Sequence, residues 1–171
     1  MNEIIKTENT DWQALKEQAS MLVRSGFLPV AIKTAEQALA IAMTAKELKI
    51  GLMEGFRSIH VIQGKPTISP QLMLALANRT GEMEDIQIDS KPDKCVVTVT
   101  RKGRKPHQET FGVNEATKLG LIGRDQYQKQ LSTMLKWRAL AACLRVTFPD
   151  VLLGLYTFEE LGADIKVIDE N

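Results

Sequence analysis

The sequence predicts an α+β fold: a small antiparallel β-sheet flanked by helices, with one long C-terminal helix. Three patterns predict it. Helical spacing fills the first fifty residues, period-two runs separated by turn residues fill 86–113, and an apolar stretch with helical spacing runs from Asp125 to Phe148. The chain has 171 residues, enough for one domain with a sizeable core. The expected organisation is an N-terminal helical segment over 1–30, a core over 31–162 and an acidic tail over 163–171.

The first helix is expected over Asp11–Ser25, where Trp12, Leu15, Ala19, Leu22 and Val23 share a face and Gly26 ends the run. Thr34 begins a second helix, with Gln37 three residues on to complete a capping box. That helix is Ala-rich, which implies close packing, and it ends near Leu48 before Gly51. A helical turn follows over Leu52–Phe56. Ile59, Val61 and Ile62 then suit a strand within Arg57–Gln63, and Gly64-Lys65 turns it into Pro66-Thr67-Ile68. Ser69-Pro70 is an N-cap with Pro in the first helical position, opening a helix to about Arg79 that Gly81 closes.

Strands come next. Ile86 and Ile88 alternate with polar residues, Pro92-Asp93 marks a turn, and Cys95 to Thr100 is the strongest strand pattern in the chain. Arg101-Lys102-Gly103-Arg104-Lys105-Pro106 reads as a hairpin turn, with Gln108–Val113 returning. Asn114 is expected to cap a short helix ending near Gly120. The long helix spans Asp125–Phe148, where Pro149 stops it. Val151–Tyr156 is an apolar segment and Thr157-Phe158-Glu159-Glu160 a short capped turn. No internal repeat is present.

Composition is ordinary for a globular protein, 44% hydrophobic and 25% charged. No apolar run approaches the roughly 18 residues that span a bilayer. The polar stretch Met1–Asp11 carries no apolar signal core, so a cytoplasmic location is expected. Cys95 and Cys143 are far apart in apolar surroundings and read as reduced, buried hydrophobes. His60 and His107 are isolated, and nothing has the spacing of a zinc site. No cofactor is expected.

Charge is sorted along the chain. The formal net charge is only +1, yet Arg101 to Arg145 holds ten basic residues against Glu109, Glu115 and Asp125, a local net of +7 that leaves −6 elsewhere. Such a concentration repels itself, and a polyanion is a common reason to keep it, a Lys-rich solvated surface being the alternative. On the long helix, Lys129 and Lys136 fall on one line and Arg138 and Arg145 on a roughly opposite one, with apolar residues between. Arg138 and Arg145 are read either as phosphate holders or as members of ion pairs with Asp150 or Glu159. Lys129 and Lys136 are read either as groove-facing or as an ordinary wet face, and Trp137 as core rather than a base-stacking platform. At the hairpin tip, four cations exceed the carboxylates such a turn can supply, so water or a polyanion faces them. Basic tips also protect sheet edges from pairing.

No Gly-rich loop runs into Lys-Ser or Lys-Thr, and no Ser or Cys nucleophile has a His in a recognisable setting, so nucleotide-triphosphate and nucleophilic chemistry are not signalled and the protein is not expected to be an enzyme. The carboxylates Glu82, Glu84, Asp85 and Asp89, with Lys91 beyond, are open to reading as a metal-dependent nuclease site or as an acidic strand edge. A duplex-binding regulator is the other alternative, although no helix-turn-helix with a basic recognition helix is evident.

Two stretches carry a family resemblance. Arg57-Ser-Ile-His-Val-Ile-Gln-Gly-Lys-Pro-Thr-Ile-Ser-Pro, followed by Leu72-Met-Leu-Ala-Leu, resembles the RecT-type phage single-strand annealing proteins. So does Met134-Leu-Lys-Trp-Arg-Ala, with Arg145-Val-Thr-Phe-Pro-Asp-Val-Leu-Leu-Gly-Leu-Tyr-Thr-Phe-Glu-Glu-Leu-Gly. The resemblance is collinear over roughly Ala31 to Gly162. It implies ATP-independent annealing of complementary single strands, with DNA in a basic groove of a ring or filament of identical subunits. It also implies a phage or prophage origin in a bacterial cytoplasm, and as partners a phage exonuclease or a host single-strand binding protein. Within the motifs it points to Lys65, Lys136, Arg138 and Arg145 as DNA contacts. Charge adds Arg101, Lys102, Arg104, Lys105, Lys118, Arg124 and Lys129. The chain departs from the family in having Tyr127-Gln-Lys-Gln-Leu where many relatives have an aromatic-rich, Pro-containing lead, and in a shorter segment beyond the Glu-Glu-Leu turn than relatives carry.

Overall fold

The computed structural model of the protein describes residues 2–62, 64–157 and 160–161, with side chains from Trp12 onward. The fold is α+β, and it divides into two compact units, Met1–Thr67 and Ile68–Asn171. The expected N-terminal helical segment, 1–30, lies within the first unit, where the first helix packs on the second. The expected acidic tail, 163–171, lies outside the described residues.

In the first unit, α1 (Asn2–Ser25) extends nine residues beyond its expected start. It packs on α2 (Ala35–Glu47), and α2 packs on α3 (Leu52–Ser58) and β1 (Ile59–Ile62). Thr34 caps α2 as its sequence requires. Its hydroxyl accepts the Gln37 amide hydrogen at 3.2 Å, while the Gln37 side chain accepts from the amides of Lys33 and Thr34. Ala38, Ile41, Ala42 and Ala45 are buried. The small side chains let α3 approach closely: a Cβ placed on Gly55 would sit 2.6 Å from that of Ala45. β1 pairs with β2 (Lys65–Ile68) across a turn in which Gly64 takes φ 76°, a left-handed conformation open to glycine without strain.

In the second unit, Ser69 caps α4 (Pro70–Arg79) by accepting the Leu72 amide hydrogen at 3.1 Å, and Leu72, Met73, Leu76 and Ala77 turn inward. An antiparallel sheet follows in the order β3 (Met83–Ser90), β4 (Lys94–Arg101), β5 (His107–Gly112). Strict alternation on β4 buries Cys95, Val97, Val99 and Arg101 and leaves Val96, Thr98 and Thr100 on the open face. The buried face is covered by α7 (Leu131–Thr147), whose other flanks meet α4 and α8 (Pro149–Leu152). Coverage on two sides explains why α7 reads as apolar nearly all round. Both cysteines are buried and unpaired, and burial pushes the Cys143 thiol up to about 11.

Two expectations are corrected. The short helix after the sheet, α5 (Val113–Lys118), starts one residue before Asn114, because the Glu115 carboxylate accepts the Gly112 amide hydrogen at 2.9 Å and takes over the cap. The stretch expected as one helix from Asp125 is two, α6 (Asp125–Lys129) and α7, broken at Gln130 with φ −140° and ψ 48°. Gln130 leaves helical geometry, yet its carbonyl accepts the Met134 amide hydrogen at 3.0 Å and restarts the ladder in a new direction. Among the described residues no helix is long and apolar enough to cross a membrane.

The close α2–α3 approach yields a contrast. Gly55→Val should lower stability by about 1–3 kcal/mol through overpacking. Gly123→Ala, with no atom near its added Cβ, should stay within about 0.5 kcal/mol of the parent. Chemical unfolding midpoints check both.

Candidate nucleic-acid interface

The β4–β5 hairpin places the cations of the tip, and Arg101 fixes its base. By alternation Arg101 shares the buried face of β4 with Val99 and Val97, so its guanidinium enters the unit instead of pointing to solvent. There its Nε donates to Glu82 Oε2 at 2.6 Å, and its Nη1 and Nη2 donate to the two oxygens of Asp150 at 2.6 and 2.9 Å. Nη1 also donates to the Thr147 carbonyl at 3.1 Å, and the group lies 4.8 Å from the Phe148 ring centre. These bonds hold the guanidinium protonated more firmly than usual, and the same bonds hold the Asp150 carboxyl below its ordinary range. The Arg101 guanidinium, expected as a DNA contact, is thus taken up by two carboxylates and a carbonyl within the unit. Of the four cations expected to exceed the carboxylates within reach, Arg101 is the one that finds them, since strand pairing brings Glu82 beside it and the turn into α8 supplies Asp150.

The other tip cations differ. Lys102, Arg104 and Lys105 are exposed, and among the described residues none of their side chains has a hydrogen bond or ion pair. Their backbone is fixed all the same. The Lys102 amide donates to the Glu82 carbonyl at 2.8 Å, the Arg104 amide to the Arg101 carbonyl at 2.9 Å, and Gly103 turns between them at φ 71°.

On α7, Lys136 is half-buried with its ammonium 4.4 Å from the Trp137 ring centre, and Trp137 itself is half-buried rather than core. Arg138 lies 5.1 Å from the Phe111 ring centre on β5, and its buried Nη1 has no hydrogen-bond partner among the described residues. Arg145 is held by a bidentate pair with Glu160 and lies 5.1 Å from the Tyr156 ring centre. The Glu160 carboxylate also accepts the Thr157 amide hydrogen at 2.9 Å. The ion-pair reading thus applies to Arg145, with Glu160 as partner; Asp150 serves Arg101, and Glu159 lies outside the described residues. Thr157 and Glu160 have the spacing of a capping box, the one sequence signal that marks Glu160 as ordered.

The remaining sites scatter. Lys129 sits on α6, off the line of Lys136 because of the Gln130 break, and pairs with Asp125 at 2.8 Å. Lys118 is exposed at the end of α5, and Arg124 is half-buried just before α6. Lys65 opens β2 in the first unit and is exposed. The basic residues of the second unit do not form a continuous trough. The hairpin tip lies beyond the Arg101 end of β4, while Ser132 on α7 meets Ser90 at 3.1 Å and Ser90 pairs with Cys95 at the other end. Lys136 and Arg138, one to two turns along α7, belong to that second end. An eight-residue strand separates the ends by about 23 Å.

The acidic edge does not assemble into a metal centre. Glu82 is held by Arg101, Asp85 accepts from the Gln87 amide at 2.9 Å, and Asp89 pairs with Lys91 at 3.2 Å. Among the described residues no three His, Cys, Asp or Glu side chains converge where a metal ion could be held.

No protein-family model matches the chain, and no curated protein is significantly similar to it in sequence.

The Arg101–Asp150 bond predicts an acid response. Asp150 titrates lower when folded than when unfolded, so its contribution is present above its ordinary carboxylate range and is lost as pH falls through the folded value. The wild type should exceed Asp150→Asn in thermal stability by a constant margin above about pH 5, and the margin should close below about pH 4. Melting curves across that range check it; an unchanging gap would rule out the ion pair as its source.

Proposed function

We propose that the protein binds single-stranded DNA without sequence preference and anneals complementary strands without ATP, acting as an assembly of identical subunits. The observation that carries this reading is the hairpin tip, where Lys102, Arg104 and Lys105 project unpaired from a base that Arg101 locks in place. Phosphate recognition of this kind supplies affinity and leaves base edges to a second strand. Arg138, the α7 arginine with no carboxylate partner among the described residues, and Lys136 add a second group of cations at the far end of the sheet. A compact anion reaches one group only; an extended polyanion reaches both, which favours a nucleic-acid strand over a small phosphate. The resemblance of residues 57–70 and 134–162 to RecT-type annealing proteins supports the same reading. It adds a phage or prophage origin, action in a bacterial cytoplasm, and a partner exonuclease or host single-strand binding protein.

Arg101 and Arg145 fall out of the contact set and enter the scaffold. Lys65, Lys118 and Arg124 remain as peripheral contacts, and Lys129 is engaged with Asp125. The nuclease alternative is disfavoured because Asp85 and Asp89 on β3 engage separate partners, Gln87 and Lys91, and Glu82 engages Arg101. Incubation of a labelled strand with protein and magnesium separates the two, because an annealer leaves the strand whole.

Binding to an oligonucleotide should weaken steeply with salt, the logarithmic slope falling by about 0.7 for each phosphate contact removed. The double variant Lys102→Glu/Arg104→Glu should bind at least tenfold more weakly with a shallower slope, measured by fluorescence anisotropy; unchanged affinity would exclude the tip. Arg138→Ala should lose affinity and annealing at an unchanged melting temperature. Arg145→Ala should instead lower the melting temperature, because it leaves the half-buried Glu160 without its cation. The reverse pattern would exchange their roles.

A further inference from the structure

Among the described residues, both outer strands of the three-stranded sheet lack a strand partner on one side. β3 is the longer, at eight residues, and six of its side chains are exposed. Free edges of this length are templates for pairing unless charge or distortion blocks them. On β3 the charge is of one sign: Glu84, Asp85 and Asp89, of which Asp89 is offset by Lys91. A second β3 laid against it would bring like charges together, so the edge disfavours its own kind.

The charge that complements it lies on the same molecule at the same height of the sheet. Asp85 is opposite Thr100 on β4, and His107 on β5 is opposite the adjacent Val99. Lys105, two residues before His107, is therefore level with the Glu84–Asp85 end of β3, but beyond the opposite edge. Because β3 and β5 both run antiparallel to β4, they run parallel to each other. A second copy displaced sideways without reversal sets its β3 alongside β5 of the first, with Glu84 and Asp85 next to Lys105.

The hydrophobic residues agree. Ile88 pairs with Val97, so it lies on the face that α7 covers, yet α7 sits over β4 and β5 and leaves Ile88 41% exposed. Placed beyond β5 of a neighbour, Ile88 comes to the flank of that neighbour's α7 and is withdrawn from water.

We infer that β3 is a self-association edge, which pairs in parallel with the outer edge of β5 of a second copy of this chain in a head-to-tail, open-ended seam. The occupant is a second copy because the complementary strand, the matching cations and the apolar cover are all on this chain. The inference deepens the self-assembly in the proposed function and requires no nucleic acid.

Sedimentation velocity of the full chain without nucleic acid tests it. The wild type should form larger species as concentration rises. Glu84→Lys/Asp85→Lys should remain monomeric, and so should Arg104→Glu/Lys105→Glu, because each sets like charges across the seam. An equimolar mixture should assemble again with the two variants alternating, because the basic edge of the first variant then meets the acidic tip of the second and the unaltered acidic edge of the second meets the basic tip of the first. All four positions are outside the core, and circular dichroism confirms folding. Ile88→Lys should weaken assembly at least tenfold. A wild type that stays monomeric, single variants that assemble like the wild type, or a mixture that fails to pair would each overturn the seam. A protein that binds oligonucleotides but does not assemble overturns the seam alone; one that assembles but ignores oligonucleotides overturns the nucleic-acid reading alone.

Discussion

The fixed point of the second unit is the guanidinium of Arg101. One planar group satisfies Glu82 ahead of the sheet, Asp150 at the start of α8 and the last turn of α7 through the Thr147 carbonyl. Strand, helix end and following turn are tied together where the chain would otherwise fray. The group is buried, but it is not an isolated buried charge: two carboxylates and a carbonyl satisfy it, and both carboxylates keep contact with water. That arrangement limits the desolvation cost that fully enclosed ion pairs carry. Lys102 and Arg104, which follow, inherit its rigidity, because their amides are bonded to the carbonyls of Glu82 and of Arg101 itself.

A second arginine pair repeats the device further on. Arg145 and Glu160 fasten the turn after α8 to α7, while Ile68 donates its amide hydrogen to the Tyr156 carbonyl from the other side. Three arginines in this unit thus divide by partner. Arg101 and Arg145 have carboxylates and act as fasteners, whereas Arg138 rests on the Phe111 ring and has no carboxylate partner among the described residues. The same chemistry that makes a guanidinium a phosphate holder makes it a structural clamp. Which role it takes depends on whether folding delivers a carboxylate first.

Much of the architecture could be read directly. Thr34 with Gln37, Ser69 with Pro70 and the alternation from Cys95 to Thr100 are local codes, set by residues within a few positions of one another, and each element appears where its code lies. The break at Gln130 escaped because nothing at that position forbids a helix: neither Gly nor Pro is present, and the apolar pattern continues through it. Its cause is the packing of α7 on two sides, which fixes that helix's direction independently of α6. The angular alignment of Lys129 with Lys136 failed for the same reason, since an angular count assumes an unbroken axis.

The sequence alone determined the α+β class, the caps at Thr34 and Ser69, the hairpin with its four cations and the crowding of positive charge between Arg101 and Arg145, because these depend on composition and short-range periodicity. Tertiary structure alone decided which of those cations remain available. Glu82 and Arg101 are 19 residues apart, and Asp150 lies 49 beyond Arg101; pairing at such separations follows from how strands and helices stack, not from neighbouring residues. The sheet's free edges are likewise invisible in one dimension, because strand order and direction decide which edge is exposed and which charges stand at the same height.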